Sequence, residues 1–391
     1  MPFPVNMVVR VNRKAADRVL SGHPWIFSSD VADRGDAQPG DCVRVEDPKG
    51  RLLGSAHFSS TSQIVLRMLS TQDEPADRAF FERRIRQAIA HRRSVVEGSD
   101  AYRVVFSEAD LLPGLIVDRY AGYLSVQLLT QGMDRARGAI VDCLAELLSP
   151  NGIVARNDAS VRKLEGLAVE TSVIAGDVPE RVPIRMNGLK LQADLLHGQK
   201  TGVYLDQREN YVAAARYARG RVLDCFTSTG GFALHVAPKA ESVEGIDSSV
   251  PALNTARANG DANGISNVQF READVFDYLA GSARQFSTII LDPPAFAKSR
   301  KMLDDAARGY REINFRALRM LEPGGILVTC SCSHHVSEAM LLEIVAQAAL
   351  DAKKSLRVME RRVQAADHPI LLTVPETLYL KCLVLQAVDY P

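Results

Sequence analysis

Neither sign of charge dominates this chain: 47 Lys and Arg stand against 47 Asp and Glu in 391 residues, a net of zero. Global charge therefore announces no nucleic-acid partner, and any basic surface has to be local. Cysteine is scarce, six in all and irregularly spaced. That excludes a disulfide scaffold and fits thiols in a reducing compartment. No stretch approaches the ~18 uninterrupted apolar residues of a membrane span. The opening Met1-Pro-Phe-Pro-Val-Asn-Met7 lacks the basic segment and apolar run of a secretory signal. No internal repeat or low-complexity tract is present. The 46% hydrophobic content excludes a disordered chain, and the length suggests two or three domains at roughly 100–200 residues each. Together these exclusions predict a soluble, cytoplasmic, multidomain protein.

What is present changes character along the chain. Residues 1–72 read as short strands between turns: Val8–Val11, Asp41–Glu46 and Gln63–Leu69, with turn chemistry at Pro39-Gly40 and Asp47-Pro-Lys-Gly50. They predict a small β-barrel, with a short helix as an alternative between Val9 and Leu20. The single Trp25 is read as a barrel core anchor ahead of a base-stacking platform. Residues 73–185 predict a small α+β domain. Its helix over 76–97 buries Phe80, Phe81, Ile85, Ile89 and Val96, and turns Arg78, Arg83, Arg84, Arg86, Arg92 and Arg93 outward. Those arginines suit either a solvated face or phosphate contacts.

From 186 onward strands alternate with helices, which predicts βαβ units and a parallel sheet. The strands are Arg221–Cys225, Ser242–Asp247, Val268–Phe270, Ser287–Asp292 and Gly325–Cys330, with a long last one over 377–386 expected antiparallel at the edge. Ligands of such sheets lie beyond the carboxyl ends of the strands. The first strand runs into Asp224-Cys-Phe-Thr-Ser-Thr-Gly-Gly231, whose adjacent glycines admit close backbone approach to a ligand. The spacing is not G-x-G-x-x-G, which argues against a dinucleotide. Asp247 lies 23 residues after Asp224, where a carboxylate suits ribose hydroxyls. Asp274 and Asp292 end two further strands. Singly each acid reads equally well as a helix cap; as a set they point to a nucleoside cofactor.

The Asp224 turn, Asp247, Asp274 and Asp292-Pro-Pro-Ala-Phe296 resemble the motif series of class I S-adenosylmethionine-dependent methyltransferases. Gln199–Asn210, Cys330-Ser-Cys-Ser333 and Gln364-Ala-Ala-Asp-His-Pro369 further resemble the bacterial large-subunit ribosomal RNA cytosine-C5 methyltransferases that carry an N-terminal PUA domain. The resemblance spans almost the whole chain. It implies a Rossmann-like methyltransferase sheet over 186–391, a PUA-like barrel over 1–72 and the α+β domain between them. It implies S-adenosylmethionine as cofactor, with its methionine moiety in the Asp224 turn, its ribose on Asp247 and its adenine by Asp274. Phe226, Thr227, Gly230, Asp292, Gln207 and Arg208 complete the implied cofactor contacts. Ribosomal RNA is the implied partner, and on local charge alone Arg83, Arg84, Arg86 and Lys298 are read as its phosphate contacts.

Cytosine C5 is a poor nucleophile, and a thiolate adding to C6 makes it electron-rich enough to take a methyl group. Cys332, at the end of a strand, stands where the family has that nucleophile, and Cys330 is read as core. Asp292 is expected to hydrogen-bond or protonate N3. Two departures stand out: the loop Asp292–Ser299 holds no second Cys for product release, and His334-His335 follow the nucleophile. Cys330, Cys332, His334 and His335 lack the ligand spacing of a zinc site, so no metal is expected. Two other functions stay open. One is exocyclic amino methylation, with the Asp292–Phe296 loop polarising an amino group and Phe296 stacking the base. The other is RNA binding or assembly without turnover.

Overall fold

The computed structural model describes residues 7–198, 202–281, 285–297 and 300–389. By compactness the chain forms two units. One runs through Ile184 and includes Ala193–Val203 and Ala366–Thr377; the other comprises Arg185–Gln192, Tyr204–Ala365 and the chain from Leu378 on. The segments 1–72 and 73–185 thus share a unit, and short stretches of the third segment join them.

In the first unit, Val8–Val11, Trp25–Phe27, Val31–Asp33, Cys42–Glu46, Leu52–Phe58 and Ile64–Ser70 make a six-stranded mixed sheet. Alternate residues share a face, so Val9, Val11, Val43, Val45 and Leu66 meet in one core. The short helix Arg13–Leu20 starts where Asn12 Oδ1 accepts the Ala15 N–H at 2.9 Å. Trp25 is half-buried instead of forming a core anchor. Its indole N–H donates to Glu108 Oε1 at 2.9 Å, and that polar demand keeps the ring at the core's margin.

Five strands, Ala101–Phe106, Leu115–Tyr120, Tyr123–Leu128, Gly152–Asn157 and Glu170–Gly176, form the second sheet. The helix Arg78–Val95 lays Phe80, Phe81, Ile85 and Ala88 on its core. Arg92 departs from the outward reading: it is buried, with its guanidinium on both carboxylate oxygens of Asp110. Full hydrogen bonding is what makes a charge tolerable there.

The second unit is built on seven strands: β1 (Arg221–Cys225), β2 (Ser242–Asp247), β3 (Val268–Glu272), β4 (Phe286–Leu291), β5 (Leu321–Ser331), β6 (Lys354–Arg362) and β7 (Lys381–Asp389). Their order is β3-β2-β1-β4-β5-β7-β6. The first five pair in parallel, and β7 runs antiparallel between β5 and β6. The last strand is therefore not at the edge, and it begins at Lys381. Its Cys382-Leu383-Val384-Leu385 run is buried on both faces. The edge belongs to β6, whose Lys354, Arg357, Glu360, Arg361 and Arg362 suit an unpaired border. Strand order reverses between β1 and β4, and there the Asp292 N–H meets the Cys225 carbonyl at 3.4 Å. Such a reversal opens a crevice beyond the strand ends.

Candidate active site

β1 delivers Asp224 into the interior, fully buried. The chain then turns through left-handed backbone at Phe226 (φ 63°), Ser228 (φ 50°) and Gly230 (φ 87°) before entering the helix Gly231–Val236. Left-handed conformation at two non-glycine residues is costly and concentrates at functional turns. Asp224 Oδ2 accepts from the Thr227 hydroxyl at 2.6 Å and the Ala233 N–H at 2.9 Å. Its Oδ1 meets no donor among the described residues. Burial raises the carboxyl to about 7, and the Asp292 and Asp247 carboxylates add to the shift. A buried acceptor with one free oxygen, under a tight turn, fits the ammonium end of an amino acid. The residues present therefore fit the methionine moiety of S-adenosylmethionine.

The other expected cofactor residues occupy distinct places. Asp247 ends β2 half-buried; its two oxygens accept from Ser228 N at 2.9 Å and Ser249 N at 2.8 Å, so it also braces the Asp224 turn. Phe226 packs against the core below, and Thr227 directs its hydroxyl to Asp224. Asp274 is exposed, and its Oδ1 caps the helix Val275–Gly281 through Asp277 N at 3.1 Å. Gln207 is buried and donates to Asp292 Oδ1 at 3.0 Å. Arg208 is buried with its guanidinium 3.3 Å from Glu209 Oε1.

β5 ends at Ser331, and alternation beyond it sorts the thiols. Ser331 and Ser333 direct their hydroxyls to the Tyr310 hydroxyl, at 2.9 and 3.2 Å. Cys330 is buried opposite Cys382, and burial first, then Cys382, pushes its thiol well above the ordinary range. Cys332, one residue past the strand, is half-buried with its Sγ 4.0 Å from the Pro293 carbonyl oxygen. Cys332 and Asp292 thus stand on adjacent loops at the carboxyl ends of β5 and β4.

Two groups of this site escape a reading of sequence. Lys381 is buried at the start of β7, with Nζ donating to the carbonyls of Ser333 at 2.7 Å and Tyr379 at 2.9 Å. Burial lowers it to about 8, and the negative charge of Cys332 acts in the opposite sense. The available signal was a lone lysine inside the apolar run Leu380–Leu385. The second is Tyr204, half-buried, whose phenol is pushed up by burial and by Asp292, Asp206 and Cys332, and so stays neutral. Tyr379 fixes the neighbouring turn by donating to Asp206 Oδ2 at 2.7 Å.

The arginines expected at RNA are largely paired within the protein. Arg83 lies 2.5 Å from Glu74, Arg86 lies 2.7 Å from Glu82, and Arg84 donates to the Leu69 carbonyl at 3.4 Å. Lys298 lies outside the described residues.

Comparison with known proteins gives three findings. Residues 9–71 match a PUA-like domain, and residues 115–385 match the S-adenosylmethionine-dependent methyltransferase family. Over 393 aligned residues the chain is 42% identical to ribosomal RNA large subunit methyltransferase I of Shewanella denitrificans, covering 97% of this chain and 99% of that one. Two solved methyltransferase structures superpose over 97% of this chain and 100% of theirs at 19% identity. One is complexed with SAH, with a TM-score of 0.84. The other, from Streptococcus mutans, has a TM-score of 0.82, and at this identity both speak to the fold.

Proposed function

Since the chain belongs to the S-adenosylmethionine-dependent methyltransferases, among the relatives of ribosomal RNA large subunit methyltransferase I, we propose that it methylates C5 of a cytosine in large-subunit ribosomal RNA, through a covalent adduct on Cys332. The observation that carries this reading is the half-buried Cys332 thiol on the loop beside Asp292, with Sγ 4.0 Å from Pro293 O. A solvent-reachable thiol at a strand end suits a nucleophile, whereas Cys330, two residues earlier, is sealed in the core.

Bound S-adenosylmethionine supplies an electrophilic methyl group. The protein's part is to make C5 receptive. The Cys332 thiolate forms a bond to C6, and the displaced electron pair moves toward C5 as Asp292, in its protonated form, donates its carboxyl proton to N3. C5 takes the methyl group with S-adenosylhomocysteine as the leaving group, a general base then takes the C5 proton, and the returning electrons expel the thiolate. Gln207 fixes the Asp292 carboxyl for this task. The expected bacterial cytoplasmic location accords with an RNA substrate of this kind. In this scheme the PUA-like segment adds RNA affinity. Arg83, Arg84 and Arg86 contribute less to it than three free cations would, because phosphate has to displace their internal partners.

The amino-methylation alternative needs Phe296 as a platform for the base. That ring packs instead on Tyr310, with centroids 4.7 Å apart, and on Phe276 at 6.1 Å. Mapping 5-methylcytosine across ribosomal RNA from cells with and without the protein tests the proposal. One large-subunit cytosine should lose its methyl group; an unchanged map overturns it.

Asp247 is assigned to the cofactor ribose. Charge-assisted hydrogen bonds of this kind are worth about 1.5–3 kcal/mol, so Asp247→Asn should weaken S-adenosylmethionine binding by roughly 10- to 100-fold in calorimetry. Unchanged affinity in a folded variant removes that assignment.

A further inference from the structure

The nucleophile proposed above needs a cation, because a thiol reacts as its thiolate and the thiolate forms where positive charge is near. Among the described residues, the buried cation nearest this segment in the fold is Lys381. Lys381 comes from a different strand. In the antiparallel register it faces Ser331, the residue before Cys332. Its ammonium reaches past that pair to the carbonyl of Ser333, the residue after it, and to the carbonyl of Tyr379. The amine therefore lies beneath the three-residue segment that carries the thiol.

We propose that Lys381 is the positioning residue that holds Cys332 as a thiolate, a role that rests on the reading of Cys332 as nucleophile. Two of the three ammonium N–H groups are taken by carbonyls, and among the described residues no carboxylate is found acting on Lys381. A buried ammonium without a counter-charge is unfavourable. Burial pulls this one down to about 8, and the charge opposing that pull is Cys332. The remaining titratable neighbours do not replace it. Asp292 supplies no positive charge, Tyr204 and Tyr310 are pushed up by burial and stay neutral, and Asp206 is engaged by Tyr379.

The purely structural alternative is that Lys381 only ties the end of β5 to β7 through the two carbonyls. Lys381→Gln keeps amide donors for those carbonyls and removes the charge, and Lys381→Arg keeps both. The experiment is the pH dependence of Cys332 alkylation by iodoacetamide in the full-length protein, without RNA or cofactor, read by peptide mass spectrometry. In Lys381→Gln the rise of the rate with pH should move upward by about one unit or more, slowing reaction at pH 7 about tenfold while the high-pH limit is kept; Lys381→Arg should restore the wild-type profile. A Lys381→Gln profile that coincides with wild type overturns the proposal. If Lys381→Gln does not fold, the titration of the Lys381 amine by nitrogen NMR decides in wild type and Cys332→Ser. The midpoint should fall when the thiolate is removed, and an unchanged midpoint overturns the pairing. Failure of the nucleophile reading registers separately, as methylation retained by Cys332→Ala.

Discussion

Cys332→Ala is expected to abolish methyl transfer, by about three orders of magnitude or more, while leaving S-adenosylmethionine binding intact. Removing a covalent nucleophile eliminates the activated intermediate and not just one contact, which is why the loss is large. Cys330→Ala serves as the control. That thiol is buried opposite Cys382, so its truncation should cost about 1 kcal/mol or more of stability through the cavity it leaves and little activity. RNA containing 5-fluorocytosine separates the two thiols. Fluorine at C5 cannot leave as a cation, so the adduct persists after methyl transfer. Wild type and Cys330→Ala should each yield a stable protein–RNA complex on a denaturing gel, and Cys332→Ala should yield none. If Cys332→Ala keeps its turnover, the thiolate mechanism is wrong and amino methylation through Asp292 takes its place.

Asp224→Asn should produce opposite changes in stability and binding. Burial chiefly raises the folded carboxyl to about 7, from an ordinary value of 3.8. Between those values the folded chain holds a proton that the unfolded chain has released. Stability contributed by this group is therefore complete below about pH 4 and is lost as pH rises through 7. An asparagine accepts from Thr227 and Ala233 as Asp224 does, but never has to ionise. The variant should match wild type near pH 4 and exceed it at pH 8, by at most about 4 kcal/mol for a shift of this size, as thermal melts would show. Cofactor affinity should move the other way. A neutral amide cannot pair with the ammonium of the methionine moiety, so calorimetry at pH 8 should show a loss of at least about tenfold, expected for a charge-assisted bond. Wild-type affinity should itself weaken below pH 7, and an affinity indifferent to pH and to the substitution would detach Asp224 from the cofactor.

How far sequence reached differs from element to element for physical reasons. β1 and β2 coincide with their expected bounds because a buried parallel strand is a short apolar run closed by a turn residue. β6 escaped because an edge strand keeps its charges, and five of them in nine residues leave no apolar signal. The distinction between Cys330 and Cys332 was legible, since two residues along a strand separate its buried body from its end. Lys381 was not, because a lysine within a strand reads as a solvent-facing residue until the partner strands are known. Arg92 misled for the same reason: helical spacing records which side a residue faces, not that Asp110 waits there. Asp274 carries the motif's acid, yet the structure gives it the plain task of capping a helix.

The antiparallel placement of β7 also bears on how the chain can assemble as it leaves the ribosome. β6 is synthesised earlier, yet its sheet partner is β7. Until residues 381–389 emerge, β6 has nothing to pair with and β5 presents a bare hydrogen-bonding border. The sheet therefore cannot grow outward strand by strand in the order of translation. A late, long-range insertion has to complete it, the kind of step that slows folding. The strand that fills the gap carries Lys381, so the chain acquires this charge beside Cys332 only as the sheet closes.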